Sequence, residues 1–193
     1  LILYSIIRNC QPKRIIEIGS GYSSCLFLDM NEHFCNNPIS CTFIDPYPQL
    51  FYSLIKKEET ENIAMIPGKL EDIDAGIFSS LTNRDILFVD STHVSKVNSD
   101  VNHILFRILP LLNPGVFIHF HDIFYPFEYP REWIYQGRAW NEAYILRAFL
   151  QYNKDFNIVF FNSYLGTFYN ELLQRELPLL GEHTGSSIWL QRK

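Results

Sequence analysis

The sequence predicts an α/β fold: a doubly wound, mostly parallel sheet of seven strands whose last strand runs antiparallel. Three observations lead there. Short apolar, β-branched runs alternate with segments of helical periodicity along the chain. Those runs are apolar on both faces, as strands are when helices cover a sheet from both sides. The first run passes directly into a glycine-rich turn and then into a helical pattern, the order found where open sheets bind nucleotides.

The elements follow in order. Arg14–Ile18, Cys41–Asp45, Ile63–Ile66, Asp85–Asp90 and Val116–His121 read as five strands. The first four lead into helical segments at Ser23–Phe34, Gln49–Glu58, Glu71–Ser80 and Ser95–Leu109. Pro110 and the Asn113-Pro114-Gly115 turn end the last of these and feed the fifth strand. Phe124–Arg138, with two prolines and many aromatic residues, reads as an irregular loop. Asn141–Tyr152 then looks helical, with Tyr144, Ile145, Ala148, Phe149 and Tyr152 on one face. Two more strands, Phe156–Phe161 and Ser187–Gln191, flank a variable segment that contains a helical Asn170–Glu176. The whole chain, 1–193, is expected to form one domain.

Composition narrows the function classes. Hydrophobic residues make up 47% of the 193 and charged residues 19%, which excludes a disordered polyampholyte. A net charge of −5 supplies no basic field for nucleic acid. The apolar runs reach about half of the ~20 residues that a membrane-spanning helix needs, so no membrane association is expected. The first residues, LILYSIIRNCQPK, carry no initiator methionine and no leader pattern, so the natural chain is expected to begin further upstream. Cys10, Cys25, Cys35 and Cys41 show no paired spacing; reduced, buried thiols and a cytoplasmic location are the expectation.

The most informative peptide is Ile15-Ile16-Glu17-Ile18-Gly19-Ser20-Gly21-Tyr22-Ser23-Ser24. Gly19 lets the chain turn tightly off the strand, and Gly21 leaves room for a ligand against the backbone. An ordinary strand-to-helix connection would look the same, so the neighbours decide. Ser24 stands where the third glycine of a dinucleotide fingerprint belongs. Glu17, two residues before Gly19, opposes a pyrophosphate and suits a cationic amino-acid ligand. Asp45 ends the second strand 24 residues after Gly21, where an acid accepts hydrogen bonds from ribose hydroxyls. A ligand with adenosine but no phosphates accounts for all three.

On these residues, together with Gly68-Lys69-Leu70-Glu71-Asp72 and Asp90, the chain resembles class I S-adenosylmethionine-dependent methyltransferases. The peptides Phe88-Val89-Asp90-Ser91-Thr92-His93 and VFIHFHDIFYPFEYP (116–130) resemble a bacterial subgroup, methyltransferase family 24. The resemblance runs from Arg14 to Leu190 and implies a Rossmann-like domain with S-adenosylmethionine as cofactor. It implies that Glu17, Gly19, Ser20 and Gly21 hold the methionine part and Asp45 the ribose. Leu70 and Glu71 or Asp72 would flank the adenine, and Asp90 would border the methionine end. The chain departs from the pattern at position 23, where Ser replaces a common third glycine; a helix start accepts Ser well.

Neighbouring fourth and fifth strands would bring Asp90, His93, His121 and Asp122 to one edge. Two chemistries suit that set. A histidine general base, His93 or His121 oriented by Asp122, is favoured. A divalent-metal site on Asp90, His121 and Asp122 is the weaker candidate. In a purely structural arrangement Asp122 would cap its turn and the histidines would bond backbone. His119 reads as a satisfied core histidine. The aromatic loop 124–140 is expected to act as a lid over the acceptor, with Arg131, Arg138 and Arg147 available to grip an anionic group.

The expectation is therefore methyl transfer to a small molecule, at oxygen, with a homodimer left open as an assembly. Two alternatives stand beside it: a nicotinamide-dependent oxidoreductase on a similar sheet, and a non-catalytic interaction domain. Glu17 and Ser24 disfavour the first, and the Asp/His edge the second. No Asn/Asp-Pro-Pro-Tyr tetrapeptide follows the fourth strand, which disfavours nucleic-acid amino groups as acceptors.

Overall fold

The structure, a computed structural model, describes residues 1–35, 39–56, 63–181 and 184–193. Its strands are β1 (Arg14–Ile18), β2 (Ser40–Asp45), β3 (Ala64–Pro67), β4 (Ile86–Val89), β5 (Phe117–His121), β6 (Phe156–Phe161) and β7 (Ser187–Arg192). They form one seven-stranded sheet in the order β3-β2-β1-β4-β5-β7-β6. The first five run parallel, and β7 lies antiparallel between β5 and β6. The strand order reverses between β1 and β4, so their carboxyl ends open the crevice where such sheets take ligands.

Alternation along the strands divides the core between two faces. Ile16 and Ile18 of β1, Leu87 and Val89 of β4 and Ile118 and Phe120 of β5 join one cluster. Helices α4 (Asp100–His103) and α6 (Glu142–Leu150) contribute Val101, Ala143 and Leu146 to it. Ile15, Phe43, Ile86, Phe88 and Trp189 form the opposite cluster beneath α1 (Ile2–Cys10), α2 (Tyr22–Phe34) and α3 (Gln49–Leu54). At the sheet's amino edge Asp85 is buried and fully engaged. It accepts from the backbone N–H of Lys13 (3.0 Å), Arg14 (2.9 Å) and Thr82 (2.8 Å) and from the Thr82 hydroxyl (2.9 Å). That carboxylate fixes the start of β1 against the start of β4.

Several elements differ from the sequence expectation, each for a local reason. The fourth helical segment begins only at Asp100, because the Ser99 hydroxyl caps it by accepting from Asn102 N–H (3.3 Å); it then widens into a π turn over Ile104–Ile108 before Pro110. Glu71–Ser80 is two 3₁₀ turns, Leu70–Asp72 and Ala75–Ser80. Asp74 separates them by accepting from Gly76 N–H (2.9 Å), a local bond that competes with a continuous helix. Helix α3 stops at Leu54, and positions 57 and 58 of the predicted helix lie outside the described residues. The aromatic loop contains a short helix, α5 (Arg131–Tyr135), started by Pro130, and α7 (Asn162–Phe168) precedes α8 (Asn170–Glu176). Cys10 and Cys41 are buried, whereas Cys25 and Cys35 are only partly so.

Two features of the β1 turn carry predictions. Gly19 has φ +84°, and a β-carbon built there would lie 2.1 Å from the Asp90 carbonyl oxygen. A Gly19→Ala chain must therefore push β1 from β4, and we expect it to lose at least about 3 kcal/mol in urea denaturation. Gly21→Ala, whose β-carbon would meet nothing closer than Leu50 Cδ2 at 3.8 Å, should stay within about 1 kcal/mol of the parent. Equal midpoints for the two variants would remove the Gly19 contact from the account.

Glu17 is fully buried in register with Phe43 and Phe88, and takes hydrogen bonds from the Ser23 and Ser24 hydroxyls at the start of α2. Burial is the main cause that pushes its carboxyl up to about 8; the two hydroxyls oppose this. A carboxyl raised on folding contributes stability below its unfolded value near 4.5, and loses it as pH climbs through about 8. Urea unfolding should show the parent losing a few kcal/mol relative to Glu17→Gln between pH 5 and pH 8.5. Parallel stability profiles would show that Glu17 is ionised throughout.

Candidate functional site

Four strand ends enclose a cavity of about 580 Å³ at the carboxyl edge of the sheet. Each wall grows from a connection already described. The β1 turn supplies Gly19 and Ser20, and the end of β2 supplies Asp45 and Tyr47. Gly68 to Glu71 line it after β3, and the connection after β4 brings Asp90, Ser91, Thr92 and Lys96, with Ser99 and Asp100 behind. The volume is that of a small-molecule or cofactor site.

Asp45 is clamped in that wall. One carboxylate oxygen accepts from the Ser20 N–H (2.8 Å) and hydroxyl (2.7 Å), the other from the Tyr47 N–H (2.7 Å). The oxygen facing Ser20 already accepts two bonds, whereas the one facing Tyr47 accepts one and can still receive a ligand hydroxyl. Of the residues expected to hold cofactor, Gly19, Ser20, Asp45, Leu70, Glu71 and Asp90 line the cavity. Glu17, Gly21 and Asp72 do not. Glu17 is sealed behind the turn by Ser23 and Ser24, Gly21 faces Leu50, and Asp72 is exposed outside the cavity. The sequence reading gave no role to Ser91, Thr92, Lys96, Ser99 or Asp100, whose hydrogen-bonding side chains follow β4. That position in the chain was the signal for them.

The second half of the edge is not one cluster. His93 is 5% exposed, with Nδ1 2.8 Å from Glu142 Oε2 and Nε2 3.4 Å from Asp90 Oδ1. Burial opposes its charge, but the hydrogen bonds and charges of Asp90 and Glu142 outweigh that and hold the imidazole up at about 9. Burial raises the Glu142 carboxyl as well. His93, expected as one of two candidate bases, thus lies in a buried pair with both ring nitrogens turned toward carboxyl groups. Glu142 was not foreseen, since no spacing marks a carboxylate at the start of α6.

His121 belongs to a separate network. Its side chain is 43% exposed, with Nε2 3.7 Å from Asp122 Oδ1 and Nδ1 3.3 Å from His119 Nε2. Asp122 sits at φ 53° and accepts from the Ser186 hydroxyl (2.8 Å). His119 is buried between Phe88, stacked at 3.9 Å, and Trp189 at 4.7 Å; burial first, and His121 second, keep it neutral. Its Nδ1 has no partner in the described structure, so the expectation of a satisfied core histidine is corrected. Among the described residues no three His, Cys, Asp or Glu side chains converge as a metal-binding group. Asp90 is committed to His93, and His121 and Asp122 face each other, so the three weak metal candidates do not form a ligand set.

In the aromatic loop Phe124, Phe127, Trp133 and Trp140 pack on the core, and the Tyr129 hydroxyl accepts from Ala143 N–H (3.0 Å). Arg138 lies over Trp133 (4.2 Å) and Trp140 (5.0 Å), Arg131 donates to the Tyr135 hydroxyl (2.9 Å), and Arg147 reaches the Pro126 carbonyl (3.5 Å). None of these residues lines the cavity.

The comparisons with known proteins agree with this geometry. The family model of methyltransferase family 24, described as a methyltransferase domain, matches residues 16–123, more than half of the chain. An uncharacterised protein of Archaeoglobus fulgidus is 34% identical over 88 residues, which cover 42% of this chain and only 36% of that one. The match thus spans about a third of that relative's length. Among solved structures, the O-methyltransferase TomG of Streptomyces achromogenes, crystallised with S-adenosylmethionine, has a TM-score of 0.61 at 15% identity, covering 100% of this chain and 78% of its own. An O-methyltransferase of Bacillus cereus, crystallised with S-adenosylhomocysteine, has a TM-score of 0.59 at 10% identity, with 100% and 79% covered. At such identities the likeness is one of fold. With the strand order, the glycine turn and the family match together, the chain belongs to methyltransferase family 24 and has the class I methyltransferase fold.

Proposed function

We propose that the chain is an S-adenosylmethionine-dependent methyltransferase that acts on a hydroxyl of a small molecule. The observation that carries this reading is the clamped Asp45 in a cavity walled by Gly19 on one side and Asp90 on another. An acid-lined cavity of this size fits an adenosine with a cationic tail. Asp45 and Asp90 beside the glycine turn disfavour a pyrophosphate there, although Lys69 and Lys96 also line the cavity.

In this reading Asp45 accepts from the ribose hydroxyls, Leu70 and Glu71 border the adenine, and Gly19, Ser20 and Asp90 border the methionine end. When bound, the cofactor supplies a methyl group made electrophilic by a sulfonium. His121 would take the proton from the acceptor hydroxyl as that oxygen displaced the methyl carbon from the sulfonium sulfur, which would leave as a neutral thioether, and Asp122 would stabilise the resulting imidazolium. The neutral, buried His119 beside Nδ1 holds the ring's orientation. The aromatic loop 124–140 would exclude water on the acceptor side of the transfer. No helix among the described residues is long and apolar enough to cross a membrane. A cytoplasmic enzyme without nucleic-acid partners completes the proposal.

Isothermal titration should detect S-adenosylmethionine and S-adenosylhomocysteine, and Asp45→Ala should weaken both by roughly 2–4 kcal/mol. Heat from a nicotinamide cofactor and none from either adenosyl ligand would overturn the reading. Once an acceptor is in hand, His121→Ala should lower kcat by ~10²–10⁴-fold with cofactor affinity retained. Unchanged turnover in that variant would leave catalysis here to proximity alone.

A further inference from the structure

The buried pair His93 and Glu142 lies outside every cofactor contact assigned above, yet its geometry ends at the cavity wall. His93 sits in the connection after β4 at φ 61°, a conformation that is strained for a non-glycine residue and persists only when its surroundings enforce it. The enforcement is visible. The His93 carbonyl accepts from the N–H groups of Asn141 (3.0 Å) and Glu142 (3.1 Å), and its own N–H donates to Ser91 Oγ (3.1 Å). Ser91 in turn donates to Glu142 Oε1 (2.9 Å), and Trp140 covers the imidazole at 4.2 Å.

Both ring nitrogens of His93 therefore face carboxylates: Nδ1 meets Glu142 at 2.8 Å and Nε2 meets Asp90 at 3.4 Å. With both carboxyl groups ionised, a neutral imidazole has a single N–H and would leave one contact as acceptor against acceptor, whereas the doubly protonated ring satisfies both. Burial raises the Glu142 carboxyl, and one proton shared across the Nδ1–Oε2 contact meets the same geometry with the same net charge. Glu142 is 1% exposed, and burying a charged pair is seldom the most stable way to fill a core. The three groups carry one net negative charge, and the half-exposed member, Asp90, presents it to the cavity.

We propose that His93 and Glu142 are positioning residues of the cofactor site: Glu142 anchors the His93 ring, and the ring holds the Asp90 carboxylate in the cavity wall toward the cationic end of the cofactor. The proposal rests on the reading of the cavity as an S-adenosylmethionine site. It makes the start of α6, remote in sequence from the glycine turn, a determinant of cofactor affinity.

A double-mutant cycle separates positioning from packing. Titration of the parent with S-adenosylmethionine comes first; a parent that binds none overturns the cofactor reading and this proposal with it. In a parent that binds, His93→Gln with Glu142→Gln, which removes both charges together, should weaken S-adenosylmethionine about 10-fold. In an Asp90→Asn background the same pair of changes should cost less than about 2-fold, because the carboxylate it positions is already gone. Equal losses in both backgrounds would overturn the proposal and leave the cofactor reading standing. Should the paired variant fail to fold, ¹⁵N spectra of the parent's histidines at pH 7.5 decide. His93 should show both nitrogens protonated, and Asp90→Asn should shift its Nε2 resonance. A neutral His93, or one indifferent to Asp90, would refute the assignment.

Discussion

The carbonyl oxygen of Asp90 occupies the place where a side chain on residue 19 would begin, and the Asp90 N–H donates to the Ile18 carbonyl (2.9 Å). The ends of β1 and β4 are thus joined at the point where the sheet reverses its strand order. Everything in the cavity hangs on that contact. Ser20, one residue on, can reach Asp45 only because Gly19 has turned the chain back over β2. Asp90, fixed from behind by Gly19, starts the connection that lines the opposite wall. A larger residue at 19 would move both walls at once. At the other end of β1, Asp85 holds the same two strands together, so the pair is pinned at both ends while the cavity opens beside it.

Environment, rather than residue type, assigns the three histidines of the edge different characters. His93 lies between two carboxyl groups, which raise its pKa; His119 lies between two aromatic rings, where burial lowers its pKa. His121 is half-exposed, with one nitrogen toward His119 and the other toward Asp122. Burial and neighbouring charge, which no residue type announces, separate the three.

Much of the fold was legible because its signals are local. The central strands β1 and β4, buried on both faces, leave apolar runs; β1 and the edge strand β6 match their predicted bounds, and the others shift by about a residue at their ends. The glycine turn and Asp45 were equally legible, since the geometry of a strand leading into a helix fixes their spacing. What was missed depends on distant partners or on competing hydrogen bonds. Asp74 broke one predicted helix and Ser99 delayed another, each through a side chain that offers the backbone a different partner. Helix α1 lay in a stretch read only for processing signals. Glu142 meets His93 across 49 residues, and nothing near either position announces the pairing.

The antiparallel strand has a consequence for the order in which the molecule can assemble. β6 pairs with no strand except β7, and β7 reaches its slot beside β5 from the far end of the sequence. During synthesis the segment from Phe156 to Phe161 leaves the ribosome before any edge exists for it to join. The parallel half of the sheet can close earlier, with β5 as an unpaired border, and loops this long delay pairing in folding generally. Ser186, which holds Asp122, arrives with β7. The end of β5 around Asp122 therefore gains its Ser186 partner only when β7 joins the sheet, after the cavity-lining connections of β1 to β4 have been made.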